Sequence, residues 1–172
     1  VFVKSQTFND NVIITNKIFQ QKGQFIMDDK MFVTVLNSVG NIVATANYGD
    51  NGIGIVKIFK YNENENNWNQ LGQTIYGEEV KEKHGISISI NASGDIIAVA
   101  SLFFNIPSEN GSSVTVYKYN DSEDVWIPYG EPIEGEKIDA NILSSSVITV
   151  HVELNGEGEY ICNCGNIICS RY

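Results

Sequence analysis

Residues 162–169 read CNCGNIIC and hold the only three cysteines in the chain. Three thiolates could begin a zinc site, because zinc takes Cys and His ligands tetrahedrally. A fourth ligand is missing, and the spacing matches no standard zinc module. A hairpin explains the stretch more simply. Gly165 and Asn166 suit a two-residue turn, and that register sets Cys164 opposite Ile167 and Cys162 opposite Cys169. Free thiols packed in the hairpin are the first reading, a Cys162–Cys169 disulfide the second and a metal the third. His84 and His151 are the only histidines. No Ser-His-Asp or Cys-His spacing connects them to a nucleophile. His84 is expected at a strand start and His151 on a strand over residues 147–154. Carboxylates gather in GEEVKEK (77–83) and in EGEKIDAN (134–141). These are matching places in a repeat, and a pair needed for acid–base chemistry would rarely be duplicated in register. Solvated connections of mixed charge fit better. No phosphate-cradling glycine loop, HExxH or GxSxG occurs, so no catalytic residue is assigned and a non-enzymatic role is expected.

The elements that must carry these residues are strands. ISISI (86–90) and SVTVYKY (113–119) alternate apolar and polar residues, the period of a strand with one buried face. DIIAVAS (95–101) is continuously apolar and suits a strand covered on both sides. The turn-forming stretches NASGD, SENGS and YNDSED separate them. No amphipathic helix is evident. With 172 residues, 42% of them hydrophobic, the chain can build one domain with a real core. Its 21 acidic and 11 basic residues give a net charge of −10, which repels a phosphate backbone and disfavours nucleic-acid binding. No apolar run approaches the roughly 18 residues of a membrane span. The first residues lack an initiator Met and a signal-peptide pattern, which reads as a processed chain or a piece of something longer. Sequons at Asn91, Asn110 and Asn120 fall in turn-like stretches; an Asn-rich chain produces such triplets by chance, and no secretion follows from them.

The chain repeats itself. VLNSVGNIVATA (35–46) aligns with SINASGDIIAVA (89–100), and VKIFKYN (56–62) with VTVYKYN (114–120). Trp68 then aligns with Trp126, Gly72 with Gly130, Ile75 with Ile133, and Gly77-Glu78 with Gly135-Glu136. An insertion in the loop around residues 103–111 separates the two halves of the alignment. VELNGEGEYICNC (152–164) is a weaker third copy, and residues 12–29 read as a decayed back half of a unit, with Phe19 at the Trp68 position. Each full unit predicts four antiparallel strands: A over 85–91, B over 95–101, C over 112–119 and D over 126–133. The Trp opening strand D is expected to cover a seam between neighbouring units. Four-stranded sheets repeated every 50–60 residues or so are the pattern of propeller blades.

On these residues the chain resembles the FG-GAP repeat of integrin-α-like β-propellers. It is closer still to the tandem W-x-x-x-G-x-x-I-x-G-E variant of bacterial, algal and large-DNA-virus proteins. The likeness covers about residues 30–165. His84-Gly85 stand at the Phe-Gly position, so the eponymous letters differ while the Trp–Gly–Ile–Gly spacing matches. The resemblance implies an all-β fold of β-propeller-like blades, partial or open: a possible partial blade at 1–30, blades at 31–84 and 85–142, and a partial blade at 143–172, within one structural domain. It also implies calcium in a loop between two strands, for which Asn47, Asp50 and Asn51 are weak candidates and Asn105, Glu109 and Asn110 weaker ones. Neither loop has the alternating carboxylates that a hard cation requires, so turn chemistry is the first reading and no cofactor is expected. Leu102, Phe103, Phe104 and Ile106 form an apolar stretch read as an inserted loop, and Phe103, Phe104 and Ile106 are the expected partner contacts. Two full units are too few for a usual closed ring. The expectation is a structural module of a larger assembly such as a surface layer or a virion, with other subunits or copies of itself as partners. The alternative is a cation-dependent adhesion propeller.

Overall fold

A computed structural model describes residues 21–24, 26, 33–47, 53–78, 83–103, 111–135, 151–158, 160–163 and 168–171. Every regular element among them is a strand, and all pairing is antiparallel. None of these residues belongs to a helix long and apolar enough to cross a membrane. The first sheet contains β1 (Val33–Leu36), β2 (Ile42–Asn47), β3 (Ile55–Asn62), β4 (Asn67–Gln70) and β5 (Ile75–Tyr76). It runs β1-β2-β3, with β4 and β5 sharing the outer edge of β3. The second sheet repeats this with β6 (Ser87–Ile90), β7 (Ile96–Phe103), β8 (Gly111–Asn120), β9 (Val125–Pro128) and β10 (Ile133–Glu134). Here β9 and β10 share the outer edge of β8. The third sheet is β11 (Val152–Leu154), β12 (Tyr160–Asn163) and β13 (Ile168–Arg171), in that order.

Two details differ from the sequence expectation. Strand D is not continuous over 126–133; it is β9 and β10 with a break between them. The first sheet breaks at the same place without any proline there, so the shared cause is the glycine: Gly72 has φ 70° and Gly130 φ 81°, a left-handed conformation that ends the extended run. The insertion also lies elsewhere. It lengthens the hairpin, since β7 has 8 residues against 6 in β2 and β8 has 10 against 8 in β3. Leu102 and Phe103 are therefore strand residues rather than loop residues.

The sheets stack face on face. Ile42, Ala44 and Ala46 of β2, with Val56 and Ile58 of β3, pack against Ile88, Ile97, Val99 and Trp126 of the second sheet. The opposite face of the second sheet, with Ile96, Ala98, Ala100, Leu102, Val114 and Val116, packs against Val152 and Leu154. Hence β7 is buried on both sides, as its unbroken apolar run requires. Full burial of each such Val or Ile contributes roughly 1.5–3 kcal/mol. By repeat position Ile42, Ala44 and Ala46 correspond to Ile96, Ala98 and Ala100. The same face of one sheet, here termed its forward face, thus meets the rear face of the next. The inner strand β6 lies beside both β1 and β11.

Candidate functional site

The polar chemistry of the chain converges on the seams between sheets. Trp126 is 2% exposed and bridges the first seam. Its indole N–H donates to the Leu71 carbonyl at 2.9 Å. Its backbone N–H donates to Gln73 Oε1 at 2.8 Å, and Gln73 Nε2 donates back to the Trp126 carbonyl at 2.7 Å. The glutamine amide therefore pairs with the tryptophan backbone like an extra strand residue. Between Leu71 and Gln73 stands Gly72, where a Cβ would lie 2.7 Å from the indole Cδ1. The backbone comes that close to the ring only because the residue is glycine.

Trp68 is held the same way. Its indole N–H donates to the Lys22 carbonyl at 2.9 Å, its backbone N–H donates to Gln24 Oε1 at 2.9 Å, and Gln24 Nε2 donates to its carbonyl at 3.2 Å. Gly23 lies on that ring as Gly72 lies on the other. Residues 22–24 and 71–73 are thus two copies of one clamp. The sequence pointed to the tryptophans and the glycines but missed Gln24 and Gln73; the available signal was the Gly-Gln pair at 23–24 and again at 72–73, four residues after Phe19 and Trp68.

A tyrosine and a left-handed turn residue complete each seam. Tyr119 tilts against Trp126 and Tyr61 against Trp68, each with ring centroids 5.2 Å apart. The Tyr119 hydroxyl donates to Asp124 Oδ1 at 2.6 Å, and Tyr61 donates to Asn66 in the same way. Asn66 and Asp124 are the non-glycine residues with positive φ, 52° and 55°, among those described, a conformation that Asn and Asp tolerate. Asp124 Oδ1 also accepts the Gly72 N–H at 3.0 Å, so one carboxylate ties its own turn to the preceding sheet. The bond from Tyr119 to Asp124, then partial burial, then the charges of Asp124 and Asp121 push the Tyr119 hydroxyl up to about 12.

The turns joining the first two strands of each sheet carry a second device. Asn91 is buried, and its Oδ1 accepts the N–H groups of Gly94, Asp95 and Ile96 at 2.9, 3.1 and 3.0 Å. Its Nδ2 donates to Ser93 and Asp95. With both ends of the amide engaged and the side chain buried, the Asn91 sequon is not presented on the folded surface. Asn37 does the same for Asn41 and Ile42, and its Nδ2 also reaches across to the carbonyls of Ala92 and Ser93 at 3.3 and 3.5 Å. Burial works to raise the Asp95 carboxyl, but hydrogen bonds from Ser93, Asn91 and its own N–H, with Lys118 nearby, outweigh this and hold it below its ordinary value.

The second seam contains a pair that no motif suggested. Ser87 Oγ and His151 Nδ1 lie 3.4 Å apart. The same oxygen accepts the Val152 N–H at 3.1 Å, and Ser89 Oγ accepts the Leu154 N–H at 3.0 Å. Two serines at matching register thus satisfy the edge of the inner strand β11. This is a joint between sheets, and the backbone donors that could stabilise an oxyanion there are already engaged. His84 lies in the turn before β6 rather than on a strand. It is buried, 2.8 Å from Ser101 Oγ through Nδ1 and edge-on to the Tyr117 ring.

The remaining expected site residues are dispersed. Phe103 ends β7 and is half-buried, paired in register with Gly111; Phe104 and Ile106 lie outside the described residues. Asn47 ends β2, while Asp50 and Asn51 lie outside the described residues, as do Asn105, Glu109 and Asn110. No group of three or more potential metal-ligating side chains occurs among the described residues. Cys162 and Cys169 are direct partners across β12 and β13, and Cys164 lies outside the described residues. No protein-family model matches the chain, and no curated protein matches it significantly.

Proposed function

We propose that the chain is a non-enzymatic structural and interaction module, built from propeller-type units of the FG-GAP kind it resembles, and acting inside a larger assembly such as a surface layer or a virion. One observation carries this reading. The sheets are stacked head to tail, forward face on rear face, and the clamp that joins the first to the second at Trp126 recurs where residues 22–24 meet the first sheet at Trp68. Polar side chains at the seams are spent on holding sheets together, and a stack of this type offers different surfaces at its two ends. The function that suits such an object is to present rigid faces and edges to neighbours.

The test is the native mass of the chain over a range of concentrations, measured with calcium and with EDTA. The expected result is a multimer, or reversible self-association, that EDTA does not change. A monomer at every concentration overturns the assembly reading. A melting temperature that falls in EDTA moves the assignment to the cation-dependent adhesion alternative, because a ligand bound only by the native state raises stability.

A further inference from the structure

We infer that the rear face of the inner strand β1, with the turn that follows it, is a docking site for the forward face of the third sheet in a second copy of this chain; this rests on the assembly reading above. The argument compares one surface at three repeat positions. Gly94 packs on Ile42 of the sheet before it, where a Cβ would meet Ile42 Cδ1 at 2.6 Å. Gly158 packs on Ile96 in the same way, at 2.9 Å. Gly40 is the same turn residue in the first sheet, with the same left-handed backbone, and no described residue lies within 4 Å of its Cβ position.

The strand beside that turn shows the same difference. Ile88 is 3% exposed and Ile90 is packed against the first core cluster. Their repeat counterparts in β1 are Thr34 and Leu36, which are exposed, Leu36 to 59%. Val39, on the turn, is 75% exposed. Further out on the same rear face, Trp68 is covered by residues 22–24. The open part is thus the inner strip, the part that a preceding sheet covers in the other two cases.

The surface seen twice to cover such a strip is a forward face of this same repeat. In the third sheet that face carries Glu153 on β11 and His151 just before it, both exposed, at the repeat positions of Ser89 and Ser87. The two serines accept the backbone N–H groups of the next inner strand. The Glu153 carboxylate is an acceptor as well, and Thr34 and Leu36 occupy the repeat positions of Val152 and Leu154. Docking of β11 of one copy along β1 of another therefore repeats a joint the chain already makes internally. The contact joins unlike faces, so it propagates head to tail.

The experiment uses the full chain, with sedimentation velocity over a concentration series. Leu36→Glu places a charge on the strip at a site already open to water, and Gly40→Asn adds a side chain where only a docked copy would object, in a conformation Asn tolerates. Melting curves close to wild type establish that both variants fold. Each variant is expected to weaken self-association by about tenfold or more, the effect of a lost hot-spot contact. Tyr76→Glu, at an exposed apolar residue away from the strip, is expected to leave association unchanged. Leu36→Glu keeps its forward face, so an excess of it is expected to cap wild-type assemblies at two chains of 19.1 kDa each. Association that persists in both strip variants overturns this inference and leaves the assembly reading standing. A wild-type chain that is monomeric at every concentration overturns both.

Discussion

Gly72 shows how much one absent side chain does. Its backbone has φ 70° and lies against the Trp126 ring, so Gly72→Ala meets both backbone strain and overpacking. We expect a loss on the order of 1–3 kcal/mol in urea denaturation. Gly23→Ala should cost less, because Trp68 is only half-buried and its neighbours yield more easily. Equal effects at the two sites would mean that the clamps, though alike in geometry, are not graded by burial. Tyr119 adds a prediction in pH. Its hydroxyl is raised from 10.0 to about 12 by the bond to Asp124. A raised folded value means that the stabilisation is fully present below pH 10.0 and is lost as pH rises toward about 12. The difference in urea midpoint between wild type and Tyr119→Phe should therefore stay constant up to pH 10 or so and then shrink. A difference that stays flat beyond that range would show that the Tyr119–Asp124 bond does not form in solution.

At the scale of strands and turns, much was legible because the information is local. Alternation in 86–90 and 113–119 states which residues face the core, and the unbroken run at 95–101 states that both faces do. The break in strand D was not legible. Pro128 and Pro132 flank it in one sheet, yet the other sheet breaks without proline, because a glycine conformation and a ring across the seam decide it. The same holds for Gln73, whose amide finds its partner at Trp126 rather than beside it in sequence. Periodicity encodes a face; it does not encode which distant element will meet that face. The hairpin of β12 and β13 offers a test on this scale. Cys162 and Cys169 are opposed in register, and Cα atoms of opposed antiparallel residues lie roughly 4.5–5.5 Å apart, within the range a disulfide spans. Mild oxidation should yield a Cys162–Cys169 peptide in non-reducing mass spectrometry. A product joining Cys164 to either of them would show that the register shifts in solution.

For the whole molecule, the stack is directional. Its copies carry a net charge of −10 and repel one another at a distance, while the open strip around Leu36 and Val39 is apolar. Self-association should therefore tighten as ionic strength rises from about 0.01 to 0.15 M, where the screening length falls from roughly 30 to 8 Å. Association that weakens with salt would mean that opposite charges, rather than burial of the strip, hold copies together. The divided clamp has a consequence of another kind. Leu71, Gly72 and Gln73 belong to one repeat and the tryptophan they grip belongs to the next. The junctions at Trp68 and Trp126 are thus each written half on each side, in the same half-sentences. A gene that duplicates or deletes one whole repeat, cut at any point in its period, still encodes matching halves at the new join. The length of such a protein can change in whole repeats with little redesign, Glu131 at the Gln73 position being the one residue of the clamp that would need to regain an amide, so kin of different lengths should differ by multiples of one unit.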